Sequence, residues 1–300
     1  MRLKFQTMLN TKFGQFFILI VLGVVWGSSF ILMKKGLIAF NSWQVASLRL
    51  FFAGMIAVPF FIKHRESIKK KDWLWLILAG FIGNGIPAFM FTYAQQAGLE
   101  SSLAGALNAL TPVFTLIVGV SFFNIQSNKK QVLGLLIGLC GAIYLIYNKV
   151  GINFNNFSIF PFLIVFLATF FYGINLNIIK SKIGHIKPVL AGMIPLSIVA
   201  FPATGVVFAS GAPQVLQEST QIWSVSLLSI LLLGIVGTAM SLFVYNALIQ
   251  KTNALFGAAV NYMLPFVAAL WGVIDGEAFG KSELLSLLFI MGGIYLIRGK

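Results

Sequence analysis

Ten runs of apolar residues, most of them close to 20 long, follow one another along this 300-residue chain. Only short polar connections separate them. A run of that length crosses roughly 30 Å of hydrocarbon as a helix. A bilayer core offers the backbone no water, so a spanning segment must be a helix or a strand of a closed barrel. Barrel strands alternate apolar and polar residues over short segments. These runs are continuous, so the sequence predicts helices at about 15–33, 43–62, 73–93, 101–122, 131–147, 158–179, 189–209, 223–248, 254–274 and 283–298. The expected fold is an all-α polytopic membrane protein. Composition agrees, with 59% hydrophobic and 9% charged residues, where soluble domains carry about 25% charged.

The net charge of +14 suggests nucleic acid in a soluble protein. Here the basic residues cluster between apolar runs, where they orient a membrane protein instead. With the N-terminus inside, the inner segments hold sixteen of the 21 Lys and Arg. The outer segments hold four, Lys34, Lys35, Lys149 and Lys281, and Arg49 lies within a span. This bias places both termini in the cytoplasm. The first apolar run has no small-residue cleavage site after it, so it is expected to stay as an anchor. The lone Cys140 offers neither a disulfide pair nor a metal cluster.

The chain repeats itself. "CGAIYLIYNK" (140–149) returns as "MGGIYLIRGK" (291–300), and "AGALNALTPVFTLIVG" (104–119) as "GAAVNYMLPFVAALWG" (257–272). "WGSSFILMK" (26–34) pairs with "YGINLNIIK" (172–180). Each half, 1–150 and 151–300, then holds five spans. Because five is odd, the second half enters the membrane from the opposite side. The expectation is two inverted five-helix repeats, with a substrate site near the midplane between them.

The Trp-Gly pair at 26–27, "SLRLFFAG" (47–54) and "YAQQAGLESSLAGALNALTPVFTLIVG" (93–119) resemble the EamA-type branch of the drug/metabolite transporter superfamily. So does "GAAVNYMLPFVAALWGVIDGEAFGKSELLSLLFIMGGIYLI" (257–297). The resemblance covers nearly the whole chain. It departs at Gln126, where the repeat is expected to hold the loop glutamate that the second half keeps as Glu277. The resemblance implies export or exchange of a small metabolite, often an amino acid, across the bacterial inner membrane.

The seven acids (Glu66, Asp72, Glu100, Glu218, Asp275, Glu277 and Glu283) fall in loops or at span ends, and His64 and His185 in loops. No intramembrane carboxylate relay of the kind found in many pumps is expected. Uncoupled export, or coupling through the substrate's own protonation, fits this better. Arg49 is read either as snorkelling or bonded to a carbonyl, or as an anchor for an anionic group or a gate. Pro112 and Pro265 free the carbonyls of Asn108 and Asn261 four residues back. Each such turn is either a structural kink or a polar bracket on a central cavity. Trp26, Ser28, Ser29, Asn84, Tyr172, Asn175 and Tyr262 complete the candidate cavity set. Lys34 and its counterpart Lys180 are candidates for the two mouths of the pathway, or ordinary snorkelling anchors. Gly23-x-x-x-Gly27 and Gly134-x-x-x-Gly138 permit close helix contact, within the chain or between copies.

"GEAFGKS" (276–282) is one residue short of a phosphate loop and has no preceding strand, so ATP-driven pumping is not expected. A membrane-embedded enzyme needs paired acids or metal ligands at membrane depth, and the sequence has none there. The function expected is secondary transport by alternating access. A broad-specificity drug or cation exporter, or a channel-like or lipid-handling protein, is the alternative. The expected partners are a small-molecule substrate and the lipid bilayer, with a homodimer left open. Nucleic acid is not expected, and no metal or cofactor is called for.

Overall fold

The computed structural model describes residues 7–99, 101–150, 159–218, 222–274 and 280–298. Arg2, Lys4, Glu100, the "NFS" glycosylation sequon at 156–158, Asp275, Glu277 and Lys300 lie outside the described residues. The described residues are helical and hold no strand. The principal helices are α1 (Lys12–Gly36), α2 (Ser42–Ser67), α3 (Lys70–Gln96), α6 (Ile159–Ser181), α7 (Pro188–Ala209) and α8 (Ser224–Lys251). Among the described residues, these six are long and apolar enough to cross a membrane. Between them run α4 (Ser101–Asn108, then Thr111–Phe122) and α5 (Lys129–Val150). The chain ends with α9 (Ala254–Ala258, a 3-10 turn, then Met263–Ile274) and α10 (Lys281–Arg298). A short helix, Ala212–Glu218, interrupts the connection before α8.

Helix ends are set by local chemistry. Asn41 and Gln44 form a capping box at the start of α2, each side chain accepting the other's backbone N–H at 3.0 and 2.9 Å. Asn128 and Gln131 do the same for α5. Gly98, at φ +91°, follows the end of α3 in the left-handed region that glycine adopts freely. Helix α1 runs on to Gly36 with a one-residue break at Ser28, so Lys34 and Lys35 occupy its last turn.

The outer surface is apolar. Phe13, Met55, Phe122, Tyr147, Phe208 and Tyr295 are among many large hydrophobic side chains left exposed. That is a large liability in water and the normal condition in lipid. Inside, the most extensive packing is α2 on α7 and α5 on α10. Helix α1 packs on α9 and α4 on α6, while α3 meets α6 and α7, and α8 meets α1 and α2. Advancing every helix number by five, with α1 following α10, turns this set of contacts into itself.

Small residues permit the close approaches. A Cβ on Gly134 would stand 2.6 Å from the Gly293 carbonyl oxygen, and one on Gly54 would stand 2.4 Å from Ala200 Cβ. Gly23 and Gly27 face Met263 and Val267 of α9, and Gly138 faces Tyr262. Both GxxxG motifs are therefore used inside the chain.

Candidate functional site

The helices line a partly open cavity of about 110 Å³. Four of them depart from α geometry beside it. Helix α4 breaks between Asn108 and Thr111, and α9 tightens to 3-10 over Ala259–Tyr262. Helix α3 widens to a π turn over Phe81–Gly85, and α8 over Ile235–Met240. Such turns release backbone groups that then need partners. Asn84 Nδ2 donates to Ala79 O at 3.3 Å and Thr238 Oγ1 to Leu233 O at 2.9 Å. Trp26 Nε1 reaches across from α1 to the Gly237 carbonyl at 2.8 Å. Replacing Trp26 by Phe is expected to leave that buried carbonyl unpaired at a cost of about 1–3 kcal/mol. Thermal unfolding of the purified protein measures it, and an unchanged midpoint sinks the assignment.

The cavity lining is paired. Trp26, Ser29, Phe30 and Met33 on α1 are matched by Tyr172, Asn175, Leu176 and Ile179 on α6, each 146 positions later. Gly83, Asn84 and Phe91 on α3 are matched by Gly237, Thr238 and Tyr245 on α8 at an offset of 154. Asn108 and Thr111 on α4 match Asn261 and Leu264 on α9 at 153. Equivalent contacts recur as well. Gly83 lies against Asn175 and Gly237 against Ser29. Only Leu242 and Arg49 stand without a lining counterpart. The position matching Arg49 is Pro195, and Gly80 packs on the Pro195 carbonyl as Gly234 packs on that of Arg49.

Arg49 projects into this space rather than to the bilayer surface. Its Nε donates to Thr238 Oγ1 at 2.9 Å. Tyr172 lines the same cavity. Asn108 Oδ1 accepts from Thr111 Oγ1 at 3.1 Å, and Asn261 Nδ2 donates to Ala258 O at 2.9 Å. Each amide thus supports its own broken turn as well as lining the cavity.

The remaining candidates lie elsewhere. Ser28 Oγ donates to Val24 O and accepts from Trp271 Nε1, both at 2.8 Å, away from the lining. Pro112 and Pro265 are buried in the kinks behind it. Tyr262 is fully buried, with its hydroxyl on Leu135 O at 2.9 Å. Thr238, Thr111, Phe30 and Phe91 line the cavity without having been singled out by the sequence, as does Tyr245, which reads there equally as an interface-belt aromatic. Comparing α3 with α8 at a constant offset would have found Thr238.

Lys34 and Lys180 differ sharply. Lys34 is exposed and makes no hydrogen bond. Lys180 Nζ donates to three carbonyls at the end of α8, Ile249 O at 3.2 Å, Gln250 O at 3.0 Å and Thr252 O at 2.6 Å. A cation there also complements the helix dipole. The same end of the molecule is tied further. Gln250 Nε2 donates to Ile186 O at 2.9 Å, and Lys182 sits over the rings of Trp75 and Phe123. Asp72 stands at the start of the third span, as expected, where it is 4% exposed and pairs with His185 Nε2 at 3.0 Å, the partner that its burial needs.

Apolar helices around an internal cavity with a mixed apolar and polar wall, and no carboxylate among the described lining residues, give the frame of a polytopic membrane protein. The chain belongs to the EamA-like transporter family, whose model matches it twice, over residues 13–147 and 159–299. It is 25% identical over 292 residues to a protein of Salmonella typhimurium described as a probable amino-acid metabolite efflux pump, covering 93% of each chain. It is 26% identical over 287 residues to the uncharacterized inner membrane transporter YedA of Escherichia coli, covering 93% of this chain and 89% of the relative. A crystal structure at 15% identity superposes with a TM-score of 0.67, covering 95% of this chain and 96% of the other, which shows a shared fold.

Proposed function

We propose that the protein is a secondary transporter that exports a small metabolite, an amino acid or a related compound, across the bacterial inner membrane by alternating access. The observation that carries the reading is the paired lining of one central cavity. In this reading residues 1–150 and 151–300 form two inverted repeats of five spans, and both termini lie in the cytoplasm. The self-mapping helix contacts and the double family match support the repeat. The distribution of Lys and Arg supports the orientation. The names of the relatives support export and the inner membrane.

Alternating access requires two conformations that the repeats exchange. In this reading the Lys180 contacts, below the lining residues Ile179 and Tyr245, close the cytoplasmic end. The repeat carries Lys180 onto Lys34, and the end of α8 onto the end of α3 at Gln95, Gln96 and Gly98. Lys34 is free here. We assign it the mirrored latch, capping the end of α3 when the outer end closes.

Metabolite profiling of the medium from expressing cells identifies the exported compound. Efflux of that compound, radiolabelled, is then compared for Asn108→Leu and Asn261→Leu. Each is expected to slow export at least about fivefold by removing a buried hydrogen bond worth about 1 kcal/mol or more. Parental rates from both variants, at normal expression, would remove the cavity from the mechanism.

A further inference from the structure

The cavity is nearly two-fold in its lining, and its one departure in charge is Arg49. Among the described residues that line it, Arg49 alone carries a charge, and its repeat position is Pro195. A guanidinium remains protonated in any protein setting. Here it has no carboxylate within ion-pair distance among the described residues. Only Nε is engaged, by Thr238, whose own hydroxyl is fixed on Leu233 O. That arrangement orients the guanidinium plane. The Nη groups make no hydrogen bond in the protein and are not sealed from the cavity.

A cation without a counter-charge attracts an anion that enters the cavity, and a fork of free N–H donors matches the two oxygens of a carboxylate. Asn175 also lines the cavity, but its Oδ1 is sealed against Gly83 and offers no free acceptor to a ligand. Much of the remaining wall is apolar or aromatic, with Phe30, Phe91 and the edge-to-face pair of Trp26 and Tyr245, whose centroids lie 4.6 Å apart.

We propose that Arg49 is the specificity-determining residue of the site. It binds a carboxylate, so the cargo is a carboxylic acid with an apolar body, and organic cations are refused. This rests on the transport reading for its biological use, but the binding itself is measured separately.

Three probes sharing one ring system isolate the groups: L-phenylalanine, 3-phenylpropionate, and phenethylamine, which has the amine without the carboxylate. Binding is read by thermal shift and calorimetry on the purified full chain. Wild-type protein is expected to bind the two carboxylates and not the amine. Arg49→Gln is expected to weaken carboxylate binding about tenfold, and Arg49→Lys to keep part of it. Thr238→Asp, which places a carboxylate beside the guanidinium, is expected to weaken it as well, and it keeps the test alive if Arg49→Gln does not fold. Equal binding of phenethylamine, no binding of either carboxylate, or unchanged affinity in both Arg49→Gln and Thr238→Asp overturns the proposal. Carboxylate binding without transport in proteoliposomes would overturn the transporter reading and leave this one standing. Transport confined to amines would do the reverse.

Discussion

Replacing Lys180 by Met is expected to open the cavity to the cytoplasmic side. The ammonium makes three hydrogen bonds to the end of α8. Bonds to a charged group contribute about 1.5–3 kcal/mol each before the competing hydration of the free lysine is counted. Part of that sum survives as a preference for this conformation. A net loss of about 2 kcal/mol shifts the balance between the two conformations roughly 30-fold. Methionine keeps the length and apolar stem, so packing is disturbed little. The reporter is a cysteine at Leu242 in a Cys140→Ala background, labelled by an impermeant maleimide in inside-out vesicles. Labelling is expected to accelerate by at least about tenfold in Lys180→Met. Lys34→Met is expected to act in the opposite direction, because the conformation it would stabilise loses its latch. Equal labelling rates in the two variants would discard the mirrored latch while leaving the cavity intact.

The second large effect concerns two adjacent glycines. A Cβ on Gly293 would fall 2.6 Å from both Gly134 O and Gly138 N, which are backbone atoms that cannot step aside. A Cβ on Gly292 would meet nothing within 4 Å. Gly293→Leu is therefore expected to separate α5 from α10 and to cost about 3 kcal/mol or more by overpacking. Gly292→Leu, on the outward face, is expected to be nearly neutral in lipid. Size-exclusion profiles and thermal midpoints in detergent check the pair. Loss of both variants, or of neither, contradicts the packing described for α5 and α10. Both substitutions remove one glycine and add one leucine, so a difference between them isolates the contact from any general loss of helix-packing glycine.

Much of the fold is legible in the sequence because each helix must carry an unbroken apolar run, and charged residues mark the ends. What is hidden is local. The break at Ser28 and the two π turns depend on which carbonyls find side-chain partners, and no periodicity records that. The site is legible where residues are polar against an oily background, as with Asn84, Asn108, Asn175, Asn261 and Arg49. It is obscure where the wall is apolar, because Phe30, Phe91 and Leu176 have the composition of any core or lipid-facing helix. Tyr262 and Ser28 show the converse error. Each is polar enough to attract notice, yet Leu135 O satisfies one and Val24 O the other within the packed chain. The burial of Asp72 is not legible either, because its partner His185 arrives from over 100 residues away.

The Arg49 and Pro195 mismatch has one more implication. Two identical five-helix chains assembled about the same axis would bring a pair of guanidinium groups to one chamber. Like charges sharing a site of low dielectric repel strongly. A single covalent chain escapes that obligation, since each half is free to change alone. Joining the halves therefore gives the chamber a head and a tail, and under the proposed transport a cargo with unlike ends would enter and leave in one defined orientation.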